Sequence, residues 1–301
     1  MTSAALTVSA KSKNCAGGKC TMYKAFSSEL LWFPDRSLKD DIPLAAKYGY
    51  EGINFDIKRE SKEFSPEEFS DLLATNRLRP GSFALPVEFR NDRETFEADL
   101  AALRPCCEFA QKTGSTRCTA FIMSFSDSLD YTSNFNQHKE RLGLAAKILE
   151  EYGIRLGLEF LGPPSLRRGK AHEFIHNLDG INELLDAIGT SNLGHLLDVF
   201  HWDLAGQIFD DFKKIPGNEQ VVVAHINDAP KGLSREEQPS HQRELPGATG
   251  VLRVGEFMKG LQNLNYDGPV LVEPFSEALK AMDFEDAVRA AKAAMDKVWP
   301  K

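Results

Sequence analysis

The sequence predicts an α/β fold, a single-domain (β/α)8 TIM barrel, and three observations carry that prediction. After residue 22, short apolar runs alternate eight times with longer amphipathic segments, which is typical of a parallel sheet with helical crossovers. Eight such units in about 275 residues match the usual size of this barrel. A doubly wound dinucleotide-binding sheet is disfavoured, because no Gly-x-Gly-x-x-Gly follows the first predicted strand.

The eight predicted strands are short runs of apolar or alternating residues. They cover Tyr23–Ser28, Gly52–Ile57, Gly81–Pro86, Arg117–Met123, Ile154–Phe160, Leu193–Val199, Val221–Asn227 and Val270–Phe275.

The segments between the strands show helical periodicity, and several of their boundaries carry capping signals. Ser65, Pro66 and Glu68 supply an N-cap, a first-turn proline and a capping-box partner, and Gly153 suits the left-handed end of a helix. The predicted helices are Leu38–Tyr48, Pro66–Asn76, Arg93–Lys112, Asn136–Tyr152, Phe174–Ile188, Leu204–Lys213, Val254–Leu264 and Ala278–Val298.

Composition and charge exclude several classes of function. The chain has 301 residues, with 44 acidic and 36 basic side chains, and its net charge of −8 disfavours a broad nucleic-acid surface. No apolar run approaches the ~20 residues of a membrane span. Five cysteines, an odd number with two adjacent, suit a reducing cytoplasm better than a disulfide framework. We therefore expect a cytoplasmic protein without a nucleic-acid or membrane partner.

The N-terminal segment differs from the rest of the chain. Residues 1–22 are rich in small and polar residues, show no periodicity and lack the apolar stretch of a signal peptide. We expect residues 1–22 to be a disordered leader and residues 23–301 to form the barrel as one domain.

Four consecutive predicted strands each carry, near the same end, one side chain that can bind a metal ion. These are Glu159, Asp198, His225 and Glu273, on strands five to eight. Function in this barrel collects at the C-terminal ends of the strands, so we expect the four to converge. Three carboxylates at one mouth repel one another, and a divalent cation removes that repulsion. The set suits Mn²⁺, Mg²⁺, Zn²⁺ or Co²⁺; the alternative is separate salt-bridge or capping residues.

Three further residues are candidates for substrate contact. His201 is expected in a loop above the mouth, where it would either bind the metal or, as we favour, hydrogen-bond a substrate oxygen. Trp202 offers a wall for the substrate or, equally, packs on the adjoining helix. Arg243 lies in the long loop before strand eight, where it would either hold a substrate oxygen or be solvated. The glycines of that loop suggest a phosphate cradle only weakly.

Five short motifs carry these residues. They are Leu158-Glu159-Phe160-Leu161-Gly162, Leu197-Asp198-Val199-Phe200-His201, His225-Ile226-Asn227-Asp228, Arg243-Glu244-Leu245-Pro246-Gly247 and Val272-Glu273-Pro274-Phe275. Together they resemble the xylose isomerase-like TIM-barrel superfamily. Within it they look most like the sugar isomerase and epimerase branch, and the inosose (2-keto-myo-inositol) isomerases in particular. The resemblance is clearest over residues 154–279.

The resemblance implies an enzyme with one divalent metal ion held by the four strand-end residues. It also implies that His201 and Arg243 contact a small-molecule polyol, ketose or inosose. Isomerisation or epimerisation would then proceed by proton transfer through a metal-bound cis-enediolate. Glu159 and Glu273 are the candidate proton carriers.

Three other interpretations stay open. A lyase on the same scaffold would dehydrate an inosose or a 3-dehydroshikimate-like acid after the same proton abstraction. An endonuclease IV-like repair enzyme would need more metal-binding histidines and a basic groove, which the charge disfavours. A non-catalytic sugar-binding barrel would fit a lost metal site better than an intact one. The sequence leaves the sugar, the metal and the oligomeric state open, a homo-oligomer among the options.

Overall fold

The structure, a computed structural model, describes residues 21–301. The disordered leader predicted over residues 1–22 lies, except for its last two residues, outside the described part of the chain. Within residues 21–301, the strands are β1 Tyr23–Phe26, β2 Gly52–Ile53, β3 Arg79–Pro80, β4 Phe83–Ala84, β5 Arg117–Ile122, β6 Phe125–Ser126, β7 Arg155–Phe160, β8 His172–Glu173, β9 Leu193–Asp198, β10 Val221–Ile226 and β11 Pro269–Val272.

Nine of these strands form one parallel sheet that closes on itself. Its order is β3-β2-β1-β11-β10-β9-β7-β5-β4, so two consecutive chain segments, β3 and β4, lie at its two ends. Only Gly81 and Ser82 separate them, and together they make the third of eight barrel strands. The predicted (β/α)8 barrel is therefore confirmed. The short β6 and β8 form a separate antiparallel ribbon above the barrel.

The third barrel strand is broken because a side chain takes over part of its ladder. Asn54 Oδ1 accepts a hydrogen bond from the backbone N–H of Ser82 at 2.8 Å. A Cβ atom on residue 81 would lie 2.3 Å from the same oxygen, so only glycine fits there. Asn54 is thus part of the barrel framework.

Helices cover the outside of the barrel. They are α1 Leu38–Lys47, α2 Ile57–Glu63, α3 Pro66–Thr75, α4 Arg93–Ala101, α5 Leu103–Lys112, α6 Tyr131–Glu151, α7 Pro164–Arg167, α8 Leu178–Ile188, α9 Val199–Leu204, α10 Val254–Asn263, α11 Glu277–Lys280 and α12 Phe284–Val298. Short 3-10 helices cover Phe209–Lys214 and Asn218–Gln220. Among the residues described, no helix is both long and apolar enough to cross a membrane.

Several predicted helices were wrong in extent, and capping residues explain two of them. The helix predicted over Arg93–Lys112 is divided into α4 and α5, α6 begins at Tyr131 and not at Asn136, and α8 begins at Leu178 and not at Phe174. The helix predicted over Leu204–Lys213 starts earlier, as α9, because Asp198 caps it by accepting from the N–H of Phe200 at 2.6 Å. Gly206, with φ of 79°, then ends that turn. The helix predicted over Ala278–Val298 is divided into α11 and α12, since the Asp283 side chain caps α12.

The core has two layers. Inside the barrel, Ala25, Leu196, Val222 and Leu271 pack together above Tyr23. The larger layer fills the space between the sheet and the helices. The Arg117 guanidinium reaches into the barrel and donates to the Val222 carbonyl at 2.6 Å and to Asp267 at 3.0 Å. The lower barrel is thus filled, which leaves the C-terminal mouth for a site.

Candidate active site

The four predicted metal ligands converge at the mouth of the barrel. Glu159 lies in β7, Asp198 ends β9, His225 lies in β10 and Glu273 directly follows β11. One ligand atom from each lies within 4.8 Å of the other three, and all four residues are buried. The strands that carry them are neighbours in the sheet, which explains why the side chains meet.

The charges and unpaired atoms of this cluster fit a divalent cation. Glu159 Oε1 and His225 Nδ1 are buried and have no hydrogen-bond partner in the described part of the chain. Three carboxylates face one guanidinium, Arg243, so ionised carboxylates leave two negative charges uncompensated. Burial, with Glu273 and Asp198 nearby, raises the pKa of Glu159 well above its ordinary value. A divalent cation would remove that excess charge and use both unpaired atoms.

Arg243 is a buried part of the cluster rather than a solvated loop residue. Its Nη1 lies 2.9 Å from Asp198 Oδ2 and 2.5 Å from Glu273 Oε2. The guanidinium also lies between the rings of Phe200 and Phe275, 4.6 and 4.5 Å from their centroids. Although burial opposes it, Arg243 together with His225 lowers the pKa of Glu273 to about 2.

His201 faces the same cluster, but from a helix. The expectation of a loop was wrong, because Asp198 caps α9 and places His201 in that short helix. His201 Nδ1 lies 3.3 Å from the backbone N–H of Gly162, and Nε2 lies 3.9 Å from Glu159 Oε1. A Cβ atom on residue 162 would lie 2.1 Å from the His201 carbonyl oxygen, so only glycine allows the two backbone segments to approach this closely. Burial, aided by Arg243, lowers the pKa of His201 to about 3, which keeps the ring neutral.

Trp202 packs in the outer layer. Its ring contacts those of Phe212 and Phe257, with centroids 5.7 and 5.9 Å away, and the Arg253 guanidinium lies 4.7 Å from it. Only 2% of the residue is exposed. Of the two alternatives for Trp202, packing on the neighbouring elements is the one that the structure shows.

Asp228 organises the loop that holds Arg243, a role that the sequence did not indicate. Its carboxylate accepts from the backbone N–H groups of Ala229, Thr249, Gly250 and Leu252 at 2.7–3.0 Å. Its backbone also pairs with that of Glu244, next to Arg243, through two bonds of 2.8 Å. Because Asp228 already uses the amide of Gly250, that glycine is not available to the weakly suggested phosphate cradle.

A family model described as xylose isomerase-like TIM barrel matches residues 42–298. The chain belongs to that family. An inosose isomerase from Bacillus velezensis is 22% identical over 282 residues, which cover 91% of this chain and 96% of the relative. A probable ketose 3-epimerase from Synechocystis sp. is 26% identical over 188 residues, 62% of this chain and 59% of the relative. The chain is therefore an enzyme of the isomerase and epimerase class.

Solved structures agree on the fold. A xylose isomerase domain protein from Alicyclobacillus acidocaldarius superposes with a TM-score of 0.82 and 26% identity, over 92% of this chain and 98% of that one. The IolI protein, solved with a zinc atom, superposes with a TM-score of 0.76 and 20% identity over the same shares.

Proposed function

We propose that the protein is a divalent-metal-dependent isomerase or epimerase of a ketose or inosose. The observation that carries the proposal is the buried cluster of Glu159, Asp198, His225 and Glu273 in a chain of this family. The names of the relatives support the substrate class, and the zinc atom in one similar structure supports a metal ion. A bound divalent cation would polarise the substrate carbonyl and ease loss of the adjacent proton.

The groups around the mouth favour an uncharged substrate. Arg243 is already paired with Asp198 and Glu273. In the loop after residue 244, the amides of Thr249, Gly250 and Leu252 are already paired with Asp228. Neither element is left to compensate the two charges of a phosphate group, so a free polyol ketone suits the site better than a sugar phosphate.

We assign the proton transfers to Glu159 and Glu273. Glu159 lies on β7 and Glu273 directly follows β11, the two outer strands of the order β11-β10-β9-β7, so they flank Asp198 and His225 on β9 and β10. One carboxylate would remove the proton beside the carbonyl, and the C–H electron pair would form the double bond of a cis-enediolate. The other would return a proton to a carbon of that intermediate, which restores a carbonyl. General acid–base action of this kind contributes roughly 10²–10⁴-fold to rate.

We assign stabilisation of the oxyanion to Arg243, with His201 beside it. Both ring nitrogens of His201 face donors, Nδ1 the Gly162 N–H at 3.3 Å and Nε2 the Arg243 Nη2 at 3.2 Å, and a neutral ring accepts at only one of them. Arg243 is a donor with either tautomer of His201, so a negatively charged substrate oxygen in front of it would receive a hydrogen bond from the guanidinium.

Proton exchange followed by NMR tests the proposal. Metal-loaded protein is incubated in D₂O with a panel of ketoses, inososes and 3-dehydroshikimate. We expect deuterium at the carbon beside the carbonyl, together with a rearranged ketose or inosose, and a rate roughly 10²–10⁴-fold lower in Glu159→Gln and Glu273→Gln. An unsaturated product would assign a lyase instead. Absence of exchange with every compound, despite bound metal, would overturn the proposal.

A further inference from the structure

An exposed aromatic side chain stands inside the barrel mouth beside the metal ligands. Phe121 lies in β5 and is 40% exposed. Its backbone pairs in register with Glu159 of β7, and neighbouring residues of a parallel pair point to the same side. Residue 157, two positions before Glu159, faces the barrel interior, because a Cβ there would lie 2.8 Å from the Val222 side chain. Phe121 therefore faces the same interior, about 5 Å from Glu159 across the sheet.

A guanidinium covers one side of this ring. Arg90 Cζ lies 4.3 Å from the centroid of Phe121. Glu88 holds that guanidinium with two bonds, Nε to Oε1 at 3.0 Å and Nη2 to Oε2 at 2.9 Å. Arg90 Nη1 makes no hydrogen bond to any residue that the structure describes, and the side chain is 30% exposed. Phe121, Arg90 and Glu88 together thus present an apolar ring face, the donor nitrogen Nη1 of Arg90 and no net charge.

Helix α6 fixes the position of this pair. Arg141 donates to the carbonyls of Phe89 and Asn91 at 2.9 and 2.6 Å, and Gln137 donates to that of Arg90 at 3.1 Å. Phe89 is itself buried. The backbone around Arg90 is therefore held from behind, which is expected of a preorganised binding surface and not of a free loop.

We propose that Phe121, Arg90 and Glu88 form a subsite that receives the part of a neutral polyol ketone distant from its carbonyl. The ring of Phe121 offers a flat apolar face to the C–H bonds of the sugar or cyclitol. The free Nη1 of Arg90 donates to one of its hydroxyls. Because Glu88 compensates the charge of Arg90, the subsite discriminates against a phosphorylated substrate. The assignment rests on the proposed function and adds the residues that set its specificity.

Two ketoses of different length test the subsite through the variant Phe121→Ala. For a six-carbon ketose or an inosose we expect KM to rise roughly 3- to 10-fold with little change in kcat, as for loss of one aromatic contact. For dihydroxyacetone, which has no carbon beyond the two next to its carbonyl, deuterium exchange should keep its wild-type kcat/KM. Leu144→Ala, an equally exposed apolar residue on the outer surface of α6, is the matched control.

A second variant tests the charge argument separately. Glu88→Gln leaves Arg90 uncompensated, and the kcat/KM for a six-carbon ketose phosphate relative to the free ketose should rise about tenfold. An unchanged KM in Phe121→Ala, or an equal loss with both ketoses, would overturn the subsite. An unchanged phosphate ratio in Glu88→Gln would overturn its selectivity. Failure of the wild-type protein to exchange any ketose would instead overturn the proposed function.

Discussion

Replacing Asp228 by asparagine removes two of the hydrogen bonds that hold the Arg243 loop. Oδ1 accepts from Ala229 and Leu252, and Oδ2 accepts from Thr249 and Gly250. Asparagine keeps one acceptor oxygen, but its NH₂ group replaces the other. That NH₂ group cannot accept from the two backbone N–H donors that faced the lost oxygen. A hydrogen bond to a charged group contributes about 1.5–3 kcal/mol, so we expect the free energy of unfolding to fall by about 3 kcal/mol after the loop relaxes.

Urea denaturation of the metal-free protein measures this change. The matched control is Asp210→Asn, an exposed carboxylate that forms an ion pair with Lys213 at 3.0 Å. That change should stay within about 0.5 kcal/mol. Because the Asp228 backbone pairs next to Arg243, KM should rise in Asp228→Asn as well. Equal stability of the two variants would refute the role assigned to the Asp228 carboxylate.

Three further predictions concern pH, packing and catalysis. Burial lowers the pKa of His195 from 6.5 to about 4, so the folded state resists protonation of this ring. Because the unfolded state is protonated first, the free energy of unfolding falls as pH falls from 6.5 towards 4, by up to roughly 3 kcal/mol, and His195 causes no such loss above pH 6.5. His195→Leu should flatten that acid limb in pH-dependent urea denaturation, whereas the exposed His172→Gln should leave it unchanged. Gly162→Ala should displace α9 and lower the free energy of unfolding, measured by thermal denaturation, by about 1–3 kcal/mol. Gly255→Ala is the control: a Cβ there meets open space, so the free energy of unfolding should not fall. Glu159→Gln should slow deuterium exchange about 100-fold or more while the protein still binds metal in calorimetry, and an equal loss of both would assign Glu159 to metal binding alone.

The convergence of Glu159, Asp198, His225 and Glu273 could be predicted because its signal is local. Each of β7, β9 and β10 is mostly apolar and carries one carboxylate or imidazole side chain close to its C-terminal end. The barrel then brings those ends together regardless of the loops. Glu273 was found in the same way, although it lies just beyond β11.

The remaining features depend on contacts that the sequence does not display. The start of α9 follows from Asp198 acting as a helix cap. Aspartate suits a helix cap and a metal site equally, so the residue type alone does not indicate the cap. The four amides bound by Asp228 come from residues up to 24 positions away. In the sequence, Phe121 resembles a core residue of β5. Only the structure shows that it lies in register with Glu159 and that its side chain is exposed.

The central claim is tested most directly by a metal titration. Metal is removed with a chelator and then added back, and the rate of solvent deuterium incorporation is measured at each metal concentration. With an inosose or ketose that the NMR panel identifies as a substrate, the rate should rise from near zero and level off at about one equivalent of divalent metal per chain. Asp198→Asn should need a much higher metal concentration to reach its plateau. Full exchange by the metal-free protein, or a rate that never responds to metal, would contradict the assignment of Glu159, Asp198, His225 and Glu273 as a single catalytic metal site.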